Sequence, residues 1–159
     1  MAEVRRAQAN DAEAICGLIN WVIRDTIVTF NSIEKTPEEI SGAIEAGQPF
    51  WVAEVEGRVL GYVSYGPFRN GVGYAHTKEH SIVVRPEAAG QGVGRALMAT
   101  LCAHAREASV HSLFAGVSGE NAAGVKFHAA LGFAEVARLP EVGRKFDRWH
   151  DLVLMQKFL

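Results

Sequence analysis

Residues 77–97 read TKEHSIVVRPEAAGQGVGRAL. The apolar, β-branched run predicts a strand over 77–84, and Pro86, which removes a backbone donor, stops it. Glycines at 90, 92 and 94 then lead into a helix expected over 92–108, where Val93, Leu97, Leu101 and Ala105 form one apolar face. A strand, a glycine-rich turn and a helix in this order suit the binding of an anion. The first N–H groups of a helix have no intrahelical partner and lie at the positive end of its dipole, and glycine lets a ligand approach them without meeting a Cβ. A pyrophosphate there would gain about 0.3–2 kcal/mol per charge interaction. A Walker loop is excluded, because the turn ends Gly94-Arg95-Ala96 with no lysine and hydroxyl pair. The turn also falls too late in the chain to open an N-terminal dinucleotide fold.

On the N-terminal side, Val4 opens a short strand. Asn10 and Asp11 supply capping chemistry for a helix with apolar positions at Ala14, Ile15, Leu18, Ile19 and Val22. Thr36 as cap and Pro37 at the first helical position start a second helix that ends near Gly47, and 26–35 is a loop centred on Phe30. Strands over 50–56 and 59–65 flank Gly57 as an antiparallel hairpin, and 66–76 is a glycine-rich loop. On the C-terminal side a strand over 111–117 precedes a helix over 122–131 ended by Gly132, and strands follow over 134–139 and 149–157. The order β-α-α-β-β-β-α-β-α-β-β predicts an α/β (α+β) fold, a mixed sheet with helices on its faces.

A chain of 159 residues with 48% hydrophobic content supports one core, so 1–159 is expected to be a single domain. A formal charge of −2, from 16 basic and 18 acidic residues, offers no field for nucleic acid. Cys16 and Cys102 fall in predicted helices and read as packing thiols. The N-terminus MAEVRRAQAND lacks the apolar run of a secretory segment, and no stretch approaches the roughly 18–20 apolar residues of a membrane span. A soluble, cytoplasmic protein is expected. His76 and His80 lack the further ligands a zinc site needs, so no metal is expected.

The turn AAGQGVGRAL with its strand and helix resembles the pyrophosphate-binding motif of the GNAT acetyltransferases, Gln/Arg-x-x-Gly-x-Gly/Ala. Gly92 and Gly94 take the two glycine positions, and Ala89 stands where Gln or Arg is usual. GENAAGVKFHAALGF is similar to the family's later CoA-contacting segment, with Asn121 at the asparagine and His128 where many members carry a tyrosine. The phrases SYGPFRN, TKEHSIVVRP and VGRKFDRWHDLVLMQ resemble the branch of phosphinothricin and methionine sulfoximine N-acetyltransferases.

The resemblance implies the GNAT acyl-CoA N-acyltransferase fold with a mostly antiparallel sheet, acetyl-CoA as co-substrate and a homodimer. It implies a detoxifying activity that acetylates the α-amine of a small amino-acid analogue. Ile82, Val83 and Val84 would border the acetyl-pantetheine arm; Gly90, Gln91, Gly92, Val93, Gly94 and Arg95 would hold the pyrophosphate; Asn121 would contact the cofactor. Phe30, Arg69, Asn70, Gly71, Glu79, His80 and Ser81 are expected at the amine substrate, with Arg69 gripping a carboxylate through its planar fork.

Acetyl transfer needs a neutral amine, so a base is required; Glu79, acting through water, is the first candidate and His80 the second. A backbone N–H at Val83 or Val84 would stabilise the oxyanion. His128 as an imidazolium could return a proton to the departing thiolate, as could water. Two other readings fit the same motifs: an acetyltransferase for a peptide N-terminus or another amine, and a non-catalytic acyl-CoA sensor. Arg69 and Lys78, with no acid between 66 and 78, argue against a polycationic amine.

Overall fold

Alternating apolar positions along the strands feed two cores, one on each face of a single sheet. In the computed structural model, which describes residues 1–159, the strands are β1 (Glu3–Arg6), β2 (Phe50–Val55), β3 (Arg58–Pro67), β4 (Thr77–Val84), β5 (Ser112–Ser118), β6 (Ala134–Lys145) and β7 (Arg148–Phe158). The helices are α1 (Ala12–Asp25), α2 (Pro37–Glu45), α3 (Val93–Glu107) and α4 (Ala122–Ala130). The seven strands lie in the order β1-β2-β3-β4-β5-β7-β6. Every pair is antiparallel except β4 with β5.

Trp51, Ala53, Val63 and Tyr65 pack with Leu97 and Leu101 of α3. Phe50, Val52, Tyr62 and Val83 pack on the other face with Ile15 and Leu18 of α1 and Ile40 of α2. Side chains of successive strand residues point to opposite faces, so one strand serves both layers. Each fully buried side chain such as Leu97 or Ile15 (both 0% exposed) contributes about 1.5–3 kcal/mol relative to exposure. Thr36 and Glu39 form a reciprocal capping box at the start of α2, an arrangement contributing about 1 kcal/mol.

The observed order of elements is the expected one, with two local differences. Asp11 does not cap α1 with its side chain. It sits in a short 3₁₀ turn, accepts a hydrogen bond from the Gln8 N–H at 2.8 Å and pairs with Arg5 at 2.8 Å, which holds its carboxyl below the usual value. The β6–β7 hairpin is longer than expected because β6 runs through Pro140 to Lys145. The register shifts between Leu139 and Gly143, and β6 is an edge strand, where a missing N–H breaks no ladder. The hairpin closes on Phe146 and Asp147, both at positive φ without a glycine.

Candidate active site

The site begins where the one parallel pairing stops. β4 and β5 are hydrogen-bonded from Thr77↔Ser112 to His80↔Ala115, and beyond that register they separate. Ser81–Val84 stays bonded only to β3, and Gly116–Ser118 only to β7. The Arg85 N–H donates to Leu60 O across β3, so by strand alternation the N–H and C=O of Val83 also face β3. Those of Ile82 and Val84 face the gap. Of the two amides considered for the oxyanion, Val84 is therefore the one directed into the opening.

A cleft of about 1140 Å³ passes through this gap from one face of the sheet to the other. On the α3/α4 face it is lined by the glycine turn, Asn121 and Phe127; on the α1/α2 face by Ile19, Trp21 and Phe30. The N–H groups of Gly90, Gly92, Val93, Gly94 and Arg95 have no acceptor within the chain. Gly92, at φ +81°, is the N-cap of α3, a left-handed position that an L side chain occupies at a cost. Five unpaired donors at the positive end of a helix fit a pyrophosphate. Gln91 is the exception among the expected turn residues: it is absent from the cleft lining, and its side chain donates to Glu87 O at 3.0 Å.

Asn121 caps α4, its Oδ1 accepting from the Gly124 N–H at 3.0 Å. Its role is thus partly structural, and the amide NH₂ is the donor left for a ligand.

Glu79 and His80 leave β4 on opposite faces. Glu79 lies over β5, where a Cβ on Gly116 would stand 3.1 Å from its Oε2. It opens to the cleft, yet the surrounding walls desolvate the carboxyl and raise its pKa above the ordinary value of 4.5. A carboxylate with a raised pKa and no ion-pair partner is suited to accept a proton.

His80 (5% exposed) and His128 (6%) pack between the sheet and α4 against Phe133. Their Nε2 atoms are 2.9 Å apart, and His128 Nδ1 donates to Gly124 O at 2.8 Å. Burial lowers both pKa values; a charge on His128 would lower that of His80 further, while the hydrogen bond to Gly124 O partly offsets the shift at His128. The imidazolium expected at His128 is therefore disfavoured at neutral pH. His80 leaves β4 on the face opposite Glu79, and both imidazoles border the cleft.

Phe30 and Ser81 line the cleft. Arg69, Asn70 and Gly71 are not in its lining. Arg69 lies over the Tyr74 ring, 5.6 Å from the centroid, in the loop that starts one register pair beyond Glu79. Sequence reasoning missed Ile19, Trp21, Phe127 and Gly116. Gly116 carried a legible signal, since glycine inside a strand often marks a close approach; the others read as ordinary helix-face residues.

Residues 16–133 match the acetyltransferase (GNAT) family. The L-methionine sulfoximine/L-methionine sulfone acetyltransferase of Salmonella typhimurium is 37% identical over 96% of this chain and 92% of that protein. The phosphinothricin N-acetyltransferase of Alcaligenes faecalis is 36% identical over 97% and 81%. Among solved structures, an acetyltransferase from Salmonella typhimurium with its cofactor acetyl-CoA superposes with a TM-score of 0.95 at 36% identity, covering 100% of this chain and 94% of that one. A ribosomal-protein-alanine N-acetyltransferase from Brucella melitensis superposes with a TM-score of 0.93 at 40% identity, covering 99% of each.

Proposed function

The chain belongs to the GNAT acetyltransferase family, and on that premise we propose that it moves the acetyl group of acetyl-CoA to the α-amine of a small amino-acid analogue of the methionine sulfoximine, methionine sulfone or phosphinothricin type. The observation that carries the reading is Glu79, a carboxylate open to the cleft and raised in pKa by its partial desolvation, at the point where β4 and β5 part, between an anion cradle on one face and an apolar pocket on the other. Relatives bearing those substrates in their names match this chain over nearly its whole length.

Acetyl-CoA supplies the activated acetyl group when bound. The chain's residues divide the remaining work. The amides of Gly90 and of 92–95 hold the pyrophosphate, the gap-facing groups of Ile82 and Val84 line the pantetheine path, and the Val84 N–H polarises the thioester carbonyl. Glu79, through water, takes the proton that an aliphatic amine carries at neutral pH, so that the amine's lone pair is free to attack. The departing thiolate is protonated by water, because both nitrogens of His128 are engaged. Arg69, with Asn70 and Gly71, is assigned to the substrate carboxylate; to reach it the Arg69 guanidinium must leave Tyr74.

The protein is proposed to act as a cytoplasmic homodimer in detoxification. Val136, Val142, Phe146 and Trp149, exposed on the edge hairpin, support self-association, and the buried unpaired Cys16 and Cys102 suit a reducing compartment. No helix is long and apolar enough to cross a membrane.

Thiol release from acetyl-CoA, measured with methionine sulfoximine, methionine sulfone, phosphinothricin, ordinary amino acids, spermidine and an N-terminal alanyl peptide, tests the reading. Turnover selective for the first three is expected. Turnover confined to the peptide or spermidine would reassign the acceptor, and acetyl-CoA binding without any turnover would make the chain a sensor.

A further inference from the structure

The phrase VGRKFDRWHD, residues 142–151, takes no direct part in the chemistry above, yet Gly143 and His150 lie against Phe30 and Lys145 binds the loop that leads to it. Lys145 is 6% exposed, and no carboxylate pairs with it. Its Nζ donates instead to three carbonyls: Thr26 O at 2.6 Å, Thr29 O at 2.9 Å and Val22 O at 3.3 Å. Val22 lies in the last turn of α1, whose final carbonyls have no helical partner and form the negative end of the dipole. Thr26 and Thr29 belong to the loop that follows. A buried ammonium satisfied by carbonyls from a helix end and its loop fixes the path of that loop.

The next residue along is Phe30, whose ring lines the cleft. It stacks on His150 with centroids 5.3 Å apart and planes 24° from parallel. The ring also lies directly over Gly143, where any Cβ would overlap it. His150 Nε2 donates in turn to Lys145 O at 2.9 Å, and its Nδ1 stands 2.7 Å from Glu120 Oε2. The hairpin thus grips the loop by its carbonyls and seats the aromatic ring against its own backbone.

We propose that Lys145 is a positioning residue for the acceptor pocket, its carbonyl-bound ammonium holding the 26–31 segment so that Phe30 walls the amine site. The proposal rests on the assignment of that end of the cleft to the amine. It accounts for a glycine, a lysine and a histidine in a hairpin remote from Glu79 along the chain.

The test compares Lys145→Met, Lys145→Gln, Gly143→Ala, Phe30→Leu and the Lys145→Met/Phe30→Leu pair. Lys145→Met is expected to raise KM for the amine about tenfold with kcat and the acetyl-CoA Kd changed less than about twofold. Lys145→Gln, which keeps two N–H donors, recovers part of the loss. Gly143→Ala, which displaces the ring while leaving the ammonium in place, reproduces the rise in amine KM and carries the test with Lys145→Gln if Lys145→Met does not fold. The double variant should be no worse than the worse single one, because both changes act through one wall. Additive effects, or equal loss of amine and acetyl-CoA binding, would overturn the proposal. Faster amide exchange across 26–31 in Lys145→Met is expected without any amine present, and unchanged exchange would overturn it too. A wild-type enzyme inactive on the amino-acid panel would defeat the acceptor assignment while leaving the exchange result readable.

Discussion

The Nε2 atoms of His80 and His128 lie 2.9 Å apart, and the proton between them belongs to His80. His128 Nδ1 is committed as a donor to Gly124 O, so a neutral His128 presents only a lone pair at Nε2. The pair closes the last hydrogen-bonded register of β4 and β5 from the α4 side. Its chemistry is that of two buried neutral rings.

Acid should therefore destabilise this protein through the pair. Both histidines titrate below the ordinary value of 6.5 when folded, because burial disfavours the charged form. The unfolded chain then binds more protons between the two values. Stability is fully present above the unfolded pKa and falls as pH drops toward the folded ones. Denaturant midpoints from about pH 8 to about pH 5 should decline below about 6.5, and His80→Leu should flatten that decline.

Replacing Glu79 by Gln should lower kcat by about a hundredfold or more while the acetyl-CoA Kd stays unchanged, whereas His128→Asn should cost less than tenfold. In the wild type the rising limb of kcat/KM against pH should lie above the ordinary carboxylate value of 4.5, since desolvation raises the Glu79 pKa. A turnover indifferent to Glu79→Gln at every pH would remove it as the base.

Gly116→Ala tests the same carboxylate from across the gap. The new Cβ would sit 3.1 Å from Glu79 Oε2, the mobile end of a side chain, so the strand need not move and the carboxylate must. A fall in kcat of about tenfold with little change in melting temperature is expected. Unaltered kinetics would mean that the Glu79 carboxylate tolerates displacement.

At the glycine turn, Gly92→Ala forces a side chain into a left-handed position at φ +81°, at a cost of roughly 1–2 kcal/mol. The acetyl-CoA Kd, read by calorimetry, should rise about tenfold with amine KM unchanged. A matching rise in amine KM would indicate a wider disturbance than the turn.

Arg69→Ala should raise KM for carboxylate-bearing amines by about tenfold and leave a carboxylate-free amine unaffected. Equal effects on the two would show that its place over Tyr74 is its only role.

Much of this organisation was legible in the residues. Strand alternation, the cap at Thr36 and the glycine spacing at 90, 92 and 94 are local signals, and a local signal survives translation into structure because it depends on the backbone alone. The β6 extension was less legible, since Pro140 reads as a stop and only the edge position of β6 makes it harmless. The Phe146-Asp147 turn was likewise hidden, because Asp147 tolerates positive φ but Phe146 does not signal it and no glycine is present.

The sequence by itself determined the family resemblance and the order of elements, because motifs and hydrophobic periodicity are written along one chain. Tertiary structure alone decided which groups His128 pairs with, which amides face the gap, and what Phe30 packs against. Those depend on partners as far apart as His80 and His128 or Thr29 and Lys145, and the burial that moves a pKa exists only once helix, sheet and hairpin have closed around the group.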